Sequence, residues 1–201
     1  MPKDKIEGAI ARGQGKSSAG AALDSITFEA IMPPSIALIV DLETESKLRA
    51  LQDLNQMVKK AKGATSSSKF FFSRLGRVVF EKGEDGLGVD QIMDDAIEAG
   101  AEDLENDADG NIVIWTQPSG TMQVCKTVGS KFGMKILSSD IIWAANEDTK
   151  AKLDASEELA SFTELLEALR EYPEVQAVYS NVTKGSMSDE EWARIEENLD
   201  I

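Results

Sequence analysis

Residues 77–145 fall into six consecutive stretches that alternate between two hydrophobic repeats, and their order restricts the chain to very few folds. Residues 77–81 read as a strand. Asp90 can cap a helix with Ile92, Met93, Ala96 and Ile97 inward, stopped at Gly100. A strand near 103–105 follows, then a turn at Asp107-Ala108-Asp109-Gly110, where Gly supplies the positive φ of a hairpin, and a strand over 111–116. Residues 120–132 are helical, with Met122, Cys125, Val128 and Phe132 on one stripe. Gly133 ends that helix, and 135–145 is extended. The order β-α-β-β-α-β is the split βαβ arrangement of a ferredoxin-like fold.

The flanking sequence supplies a second set of elements. Residues 25–30 alternate like a strand, and Met32-Pro33-Pro34-Ser35 turns the chain into another over 36–42. Residues 47–62 place Leu48, Leu51, Leu54, Val58 and Ala61 on one helical face, ended by Gly63. Residues 65–68 are loop, and two strands, 70–74 and 77–81, are expected to meet at Gly76. Beyond the central block, Ser156 caps a helix carrying Leu159, Phe162, Leu165, Leu166 and Leu169, which Pro173 breaks before a strand over 175–180. Ser188 and Glu191 form a capping box for a last helix, on which Trp192, Ile195 and Leu199 share a face. At the start, 4–12 reads as a short helix and 13–22 as a Gly/Ser/Ala linker.

The fold class implied is α+β, with two ferredoxin-like α/β sandwich modules, the second inserted into the first, and a remnant N-terminal helix. The corresponding domains are 1–22, then 23–76 with 150–185, the inserted 77–149, and a C-terminal helix over 186–201.

Composition removes several chemistries. With no His there is no Ser-His-Asp or Cys-His catalytic unit, no imidazole base and no zinc helix of the His-x-x-x-His kind. The single Cys125 excludes an intrachain disulfide and reads as a small core residue. No apolar run approaches the ~18 residues of a membrane helix, so no membrane insertion is expected. The first residues match neither a signal peptide nor an Arg-rich transit peptide.

The net charge of −15 argues against binding a polyanion, but the charge is unevenly spread. Residues 1–82 hold 13 Lys+Arg against 9 Asp+Glu, whereas 83–201 hold 8 against 27. Between Leu54 and Phe80 lie Lys59, Lys60, Lys62, Lys69, Arg74 and Arg77 without one acid, and eleven acids without one base lie between Gly83 and Cys125. Two functional faces follow from such asymmetry. Phe70-Phe71-Phe72, set between Lys69 and Arg74, combines aromatics with cations as single-stranded RNA sites do, although a strand buried on both faces is the preferred account.

Two short motifs are decoys. Gly13-Gln14-Gly15-Lys16-Ser17 ends like a phosphate-binding loop, but Ile10 stands where that loop needs Gly, and no strand precedes it. Glu105, Asp107, Asp109 and Gly110 imitate the start of a calcium loop, yet Thr116 occupies its twelfth position in place of Glu.

Four blocks in register carry a family resemblance. They are Ile6-Glu7-Gly8-Ala9-Ile10-Ala11-Arg12-Gly13, Gly76-Arg77-Val78-Val79-Phe80-Glu81-Lys82, Ala96-Ile97-Glu98-Ala99-Gly100-Ala101-Glu102-Asp103 and Val175-Gln176-Ala177-Val178-Tyr179-Ser180-Asn181. In this order they resemble the YebC family of transcriptional regulators and mitochondrial translational activators. The resemblance implies a helical first domain and two α/β domains, the third inserted into the second. It departs from the family pattern in lacking most of the basic N-terminal segment, in reading Phe28-Glu29-Ala30-Ile31-Met32-Pro33-Pro34-Ser35 at a glycine-rich turn, and in Ser180 within the Tyr179-Ser180-Asn181 block. The Pro-Pro form of the turn is similar to fungal relatives.

The function implied is a non-enzymatic regulator of gene expression associated with RNA, DNA or the ribosome, in first place a mitochondrial translational activator and otherwise a DNA-binding transcriptional regulator. Its nucleic-acid contacts would be Arg12, Lys16, Lys59, Lys60, Lys62, Lys69, Arg74 and Arg77. The acidic module would meet a protein partner, and the chain is expected to be a monomer without cofactor. Its compartment would be mitochondrial in a eukaryote and cytoplasmic in a bacterium. The enzymatic alternative is a Mg²⁺-dependent nuclease using Glu102, Asp103, Asp107 and Asp109, with Glu105 beside them. A scaffold contacting proteins through Trp192, Ile195 and Leu199 is the third class.

Overall fold

A long hairpin begins the fold because two apolar strands flank a turn with two prolines. β1 (Asp24–Met32) pairs antiparallel with β2 (Ile36–Thr44) along its full length, and the Pro33–Pro34 peptide is cis. The computed structural model describes residues 23–82, 87–154 and 157–200. It divides into two units, Met1–Phe72 with Ala145–Ile201, and Ser73–Ala144. The predicted helix at 4–12, with Arg12 and Lys16, and the Ser156 cap lie outside the described residues.

In the first unit, α1 (Lys47–Lys60) follows the hairpin. It leads to the short β3 (Ala64–Thr65), which pairs antiparallel with β1. After the insertion come β8 (Ala151–Leu153), α4 (Glu157–Glu171), β9 (Val175–Ser180), β10 (Val182–Lys184) and α5 (Asp189–Glu196). The sheet runs β3-β1-β2-β9, and β9 is antiparallel to β2. This is the ferredoxin-like strand order with one change of connection. The strand that should lie between the two parallel strands of the split βαβ unit is β1, drawn from upstream, because the insertion occupies its usual place in the chain.

One face of this sheet packs under α1 and α4. Phe28, Leu38 and Val40 meet Leu54, Phe162 and Leu166 in a single core. Burying each such side chain contributes ~1.5–3 kcal/mol. Trp192, Ile195 and Leu199, expected on one face of α5, pack against this same core. That face is consumed in folding, so the scaffold reading loses its contact surface. Ser188 and Glu191 form the predicted reciprocal cap of α5.

The second unit carries β4 (Phe72–Phe80), α2 (Val89–Glu98), β5 (Ala101–Asn106), β6 (Ile112–Thr116), α3 (Thr121–Phe132) and β7 (Ile136–Ala145). Its sheet order is β5-β6-β4-β7, the ferredoxin-like order, and α2 and α3 cover one face around Phe80, Ile92, Ile114 and Val128. Gly110 adopts φ 83° in the β5–β6 hairpin and Gly133 adopts φ 64° at the end of α3, both as the sequence predicts.

Three local expectations are corrected. Two strands were expected to meet at Gly76, but β4 runs straight through it. Gly76 is required by close approach rather than by a turn, since a Cβ there would sit 2.0 Å from the Thr121 hydroxyl and 2.5 Å from that of Thr116. Residues 69–71 form a 3₁₀ turn, so Phe70 and Phe71 precede the strand, which starts only at Phe72. Leu48, Met93, Ile97 and Met122, assigned inward by spacing, are exposed, because each lies at the margin of its helix's apolar stripe.

Candidate nucleic-acid interface

The basic stretch begins at the end of α1. Lys59 and Lys60 occupy its last turn, where cations offset the negative end of the helix dipole. The helix closes with Lys62 N–H donating to the Lys59 carbonyl at 3.0 Å and Gly63 N–H to the Val58 carbonyl at 2.9 Å. This is the paired closure that normally places Gly in the left-handed position. Here Lys62 takes it, at φ 64°, while Gly63 is held small by Met32 and Val58. A lysine in that conformation costs ~1 kcal/mol relative to glycine. Lys59 and Lys60 are exposed and, among the described residues, have no carboxylate within ion-pair distance.

Residues 66–71 then cross the sheet face opposite the helices. Glu29, on β1, fixes them: its Oε2 accepts the Ser68 and Lys69 amides at 2.8 and 3.0 Å, and Lys69 Nζ lies 3.1 Å from Oε1. The buried Ser68 hydroxyl donates to the Leu38 carbonyl at 2.9 Å. This clamp raises Phe70 into solvent at 65% exposure, in tilted contact with Phe71, the ring centroids 4.3 Å apart and the planes 32° from parallel. From the far side, Asn146 N–H and the Thr149 hydroxyl both donate to the Phe71 carbonyl at 2.9 Å. Asn146 Nδ2 donates to the Phe70 carbonyl at 3.2 Å.

Burial pushes the Glu29 carboxyl up, but the Ser68 and Lys69 amides and the Lys69 ammonium outweigh it and hold its pKa below the ordinary 4.5. A depressed carboxylate stabilises the fold above the unfolded-state pKa, and that stability is lost as pH falls through the folded value. Glu29→Gln is therefore expected to cost about 1–2 kcal/mol at pH 7. The deficit should shrink as the pH is taken from 7 to well below 4.5, where the carboxylate protonates. Urea unfolding at both ends of that range tests this, and a deficit independent of pH refutes it.

The remaining two cations belong to the second unit. Period-two alternation along β4 sends Arg74 and Arg77 to opposite faces of its sheet. Arg74 lies 5.2 Å from the Trp143 ring centroid and Arg77 lies 6.0 Å from that of Trp115. The six cations therefore do not share one continuous strip. α1 carries Lys59 and Lys60 in the helix layer, Lys69 is committed to Glu29 on the opposite face, and the two arginines diverge.

The acids of the nuclease alternative serve the local fold. Asp107 accepts the amides of Asp109 and Asn111 at 2.9 and 2.8 Å and so closes the hairpin turn. Asp103 accepts the Leu104 amide, Glu105 accepts the Trp115 indole N–H at 2.8 Å, and Glu102 accepts the Gln117 amide. Among the described residues, no group of three or more carboxylate or thiol side chains is placed to hold a metal ion. No described helix is long and apolar enough to cross a membrane.

Glu29, Asn146, Thr149 and Asn181 position the aromatic pair, and none was singled out by sequence as a site residue. Asn181 alone left a trace, as the last residue of a family-like block. Glutamates and asparagines that act through backbone amides and carbonyls leave no spacing pattern.

Two nested ferredoxin-like modules, the first bearing exposed cations and an aromatic pair, define a class of two-module α/β proteins. Residues 23–182 match the family described as the TACO1/YebC second and third domain. The chain is 34% identical over 200 residues to a probable transcriptional regulatory protein of Hyphomonas neptunium, covering 97% of this chain and 75% of the relative. A protein of the same description from Bifidobacterium animalis subsp. lactis is 30% identical over 200 residues, covering 98% and 76%. The crystal structure of a conserved hypothetical protein from Aquifex aeolicus superposes with a TM-score of 0.68 at 25% identity, covering 93% of this chain and 75% of that one. This chain belongs to the TACO1/YebC family.

Proposed function

We propose that the chain is a non-enzymatic regulator of gene expression that binds single-stranded RNA through its first unit. The observation that carries this reading is the Phe70–Phe71 pair, held out of the core by the Glu29 clamp on one side and Asn146 and Thr149 on the other. An exposed ring on a rigid backbone is what an unstacked base needs, and every base offers a π-face. Lys59, Lys60 and Lys62 supply phosphate contacts from the end of α1. Relatives named as probable transcriptional regulators support a role in gene expression. Translational activation at the ribosome, mitochondrial in a eukaryote, is the form such regulation takes when the target is messenger RNA.

Fluorescence anisotropy with a short single-stranded RNA, at two salt concentrations, tests the reading. Phe70→Ala is expected to weaken binding by ~1–3 kcal/mol, the value of one stacked base. Reversing Lys59, Lys60 and Lys62 to Glu should flatten the plot of log K against log salt by roughly 2. Lys62→Gly should bind more weakly while folding more stably, since it removes both a cation and a left-handed lysine. Unchanged affinity in Phe70→Ala refutes RNA stacking. Binding to duplex DNA that ignores Phe70 but follows the lysines favours the second reading, a DNA-bound transcriptional regulator, which the names of the relatives support.

A further inference from the structure

The two four-stranded sheets end in four edges, and three are guarded. β3 is two residues long. β9 is closed by the C-terminal residues, with Val178 N–H donating to the Asp200 carboxylate at 2.7 Å and Asp200 N–H to the Val178 carbonyl at 2.8 Å. β5 places Glu102, Asp103 and Glu105 within six residues. Short strands, covering segments and charge are the usual defences against a foreign strand.

Among the described residues, β7 has none of them. It is ten residues long and carries one charge, Asp140. It pairs with β4 on one side, and among the described residues no strand lies on the other. Three of its four large aliphatics are exposed, Ile136 at 42%, Leu137 at 45% and Ile141 at 44%, while Ile142 is buried. Alternation places Leu137 and Ile141 on the face that carries Ser139, whose hydroxyl lies 3.3 Å from Cys125 Sγ on α3. One turn before Cys125, Met122 is 65% exposed and extends the apolar surface onto the flank of α3.

We propose that β7 is a self-association edge, on which a second copy of this chain docks its own β7 antiparallel. The occupant is argued from the strand's self-complementarity. A two-fold axis through Ser139 sets Leu137 of one copy opposite the partner's Ile141, and Ile141 opposite the partner's Leu137, on the helix-covered face. On the other face Asp140 meets the partner's Ser138, so no like charges are opposed. The next register, centred on Asp140, would set two carboxylates together and is disfavoured. Pairing in the Ser139 register joins two four-stranded sheets into one and satisfies both open rows of backbone groups. Such an isologous contact closes on itself as a dimer.

Sedimentation velocity of the full chain at about 100 μM, high enough to populate even a weak complex, tests the proposal. The expected species has twice the 21.8 kDa chain mass. Ile141→Lys and Leu137→Lys, both at exposed positions, should return it to the monomer with an unchanged circular dichroism spectrum. In a Cys125→Ala background, Ser139→Cys should form an intermolecular disulfide on mild oxidation, because directly opposed Cα atoms ~4.5–5.5 Å apart are within disulfide reach. A monomeric wild-type chain at that concentration overturns the proposal and leaves the edge to a strand of another protein. A dimer that survives Ile141→Lys and does not cross-link through residue 139 overturns it as well.

Discussion

Asn181→Leu is expected to cost the fold about 3–5 kcal/mol, summed over the polar groups it leaves unpaired. Asn181 is fully buried at the end of β9. Its Oδ1 accepts the Ala37 amide at 2.7 Å, and its Nδ2 donates to the Thr149 carbonyl at 2.6 Å and the Ser35 carbonyl at 3.4 Å. Leucine keeps the branched heavy-atom outline but leaves a buried N–H and two carbonyls without partners. With a slope of roughly 2 kcal/mol per molar urea, the midpoint should fall by ~1.5–2.5 M. The consequence also reaches the proposed site. Thr149, held through its carbonyl by Asn181, holds the Phe71 carbonyl through its hydroxyl. RNA affinity should therefore drop at temperatures where the variant is still folded. Asn181→Asp, which keeps the acceptor and loses the donors, should fall between wild type and leucine near pH 4 and approach leucine at pH 7, where its carboxylate faces two carbonyl oxygens. A midpoint within experimental error of wild type for Asn181→Leu would show that the network is incidental.

The elements written by local chemistry were legible from sequence, and those written by partners distant in the chain were not. Gly110, Gly133 and the Ser188–Glu191 box act within one turn of the backbone, so the β5–β6 hairpin, the end of α3 and the start of α5 stand where predicted. β1 was visible as a strand, but its insertion between β2 and β3 depends on pairings to residues 37 and 64, which no periodicity encodes. Met122 shows the limit of helical spacing. It sits at the correct interval from Cys125, yet the buried set is Thr121, Val124, Cys125 and Val128, because the sheet beneath α3 lies to one side of the stripe. The same limit applies to charge. Six cations close in sequence were expected to form one surface, but the chain passes through a helix end, a clamp across the sheet and a strand, and each reorients the next side chain. The aromatics were legible as a candidate for RNA stacking, but their geometry was not, for a related reason. Phe70 was weighed as a strand residue, whereas the Glu29 carboxylate, some forty residues upstream, draws Ser68 and Lys69 into a tight turn and sets the ring outward.

Gly76→Ala is expected to destabilise the second unit by about 2–4 kcal/mol, more than an alanine in place of a strand glycine would ordinarily do, because the strand interior usually gains from the change. The added Cβ has no room. It would lie 2.0 Å from Thr121 Oγ1 and 2.5 Å from Thr116 Oγ1, and both residues are buried. Neither hydroxyl can turn aside freely. They lie 3.1 Å from one another, Thr116 donates to the Gln117 carbonyl at 2.8 Å, and Thr121 donates to the Pro118 carbonyl at 3.2 Å. The clash must either break this chain of bonds or push the first turn of α3 off the sheet. A double-mutant cycle separates these outcomes from a general loss of strand stability. Thr121→Ala removes the closest atom, so Gly76→Ala on that background should cost at least ~1 kcal/mol less than on wild type. Additive costs would place the strain elsewhere. Because Gly76 lies between Arg74 and Arg77 on β4, a shifted strand also moves both guanidinium groups from the Trp143 and Trp115 rings. Quenching and emission maxima of those tryptophans should then change in Gly76→Ala and recover in the double variant, a readout that a loss of global stability alone would not produce.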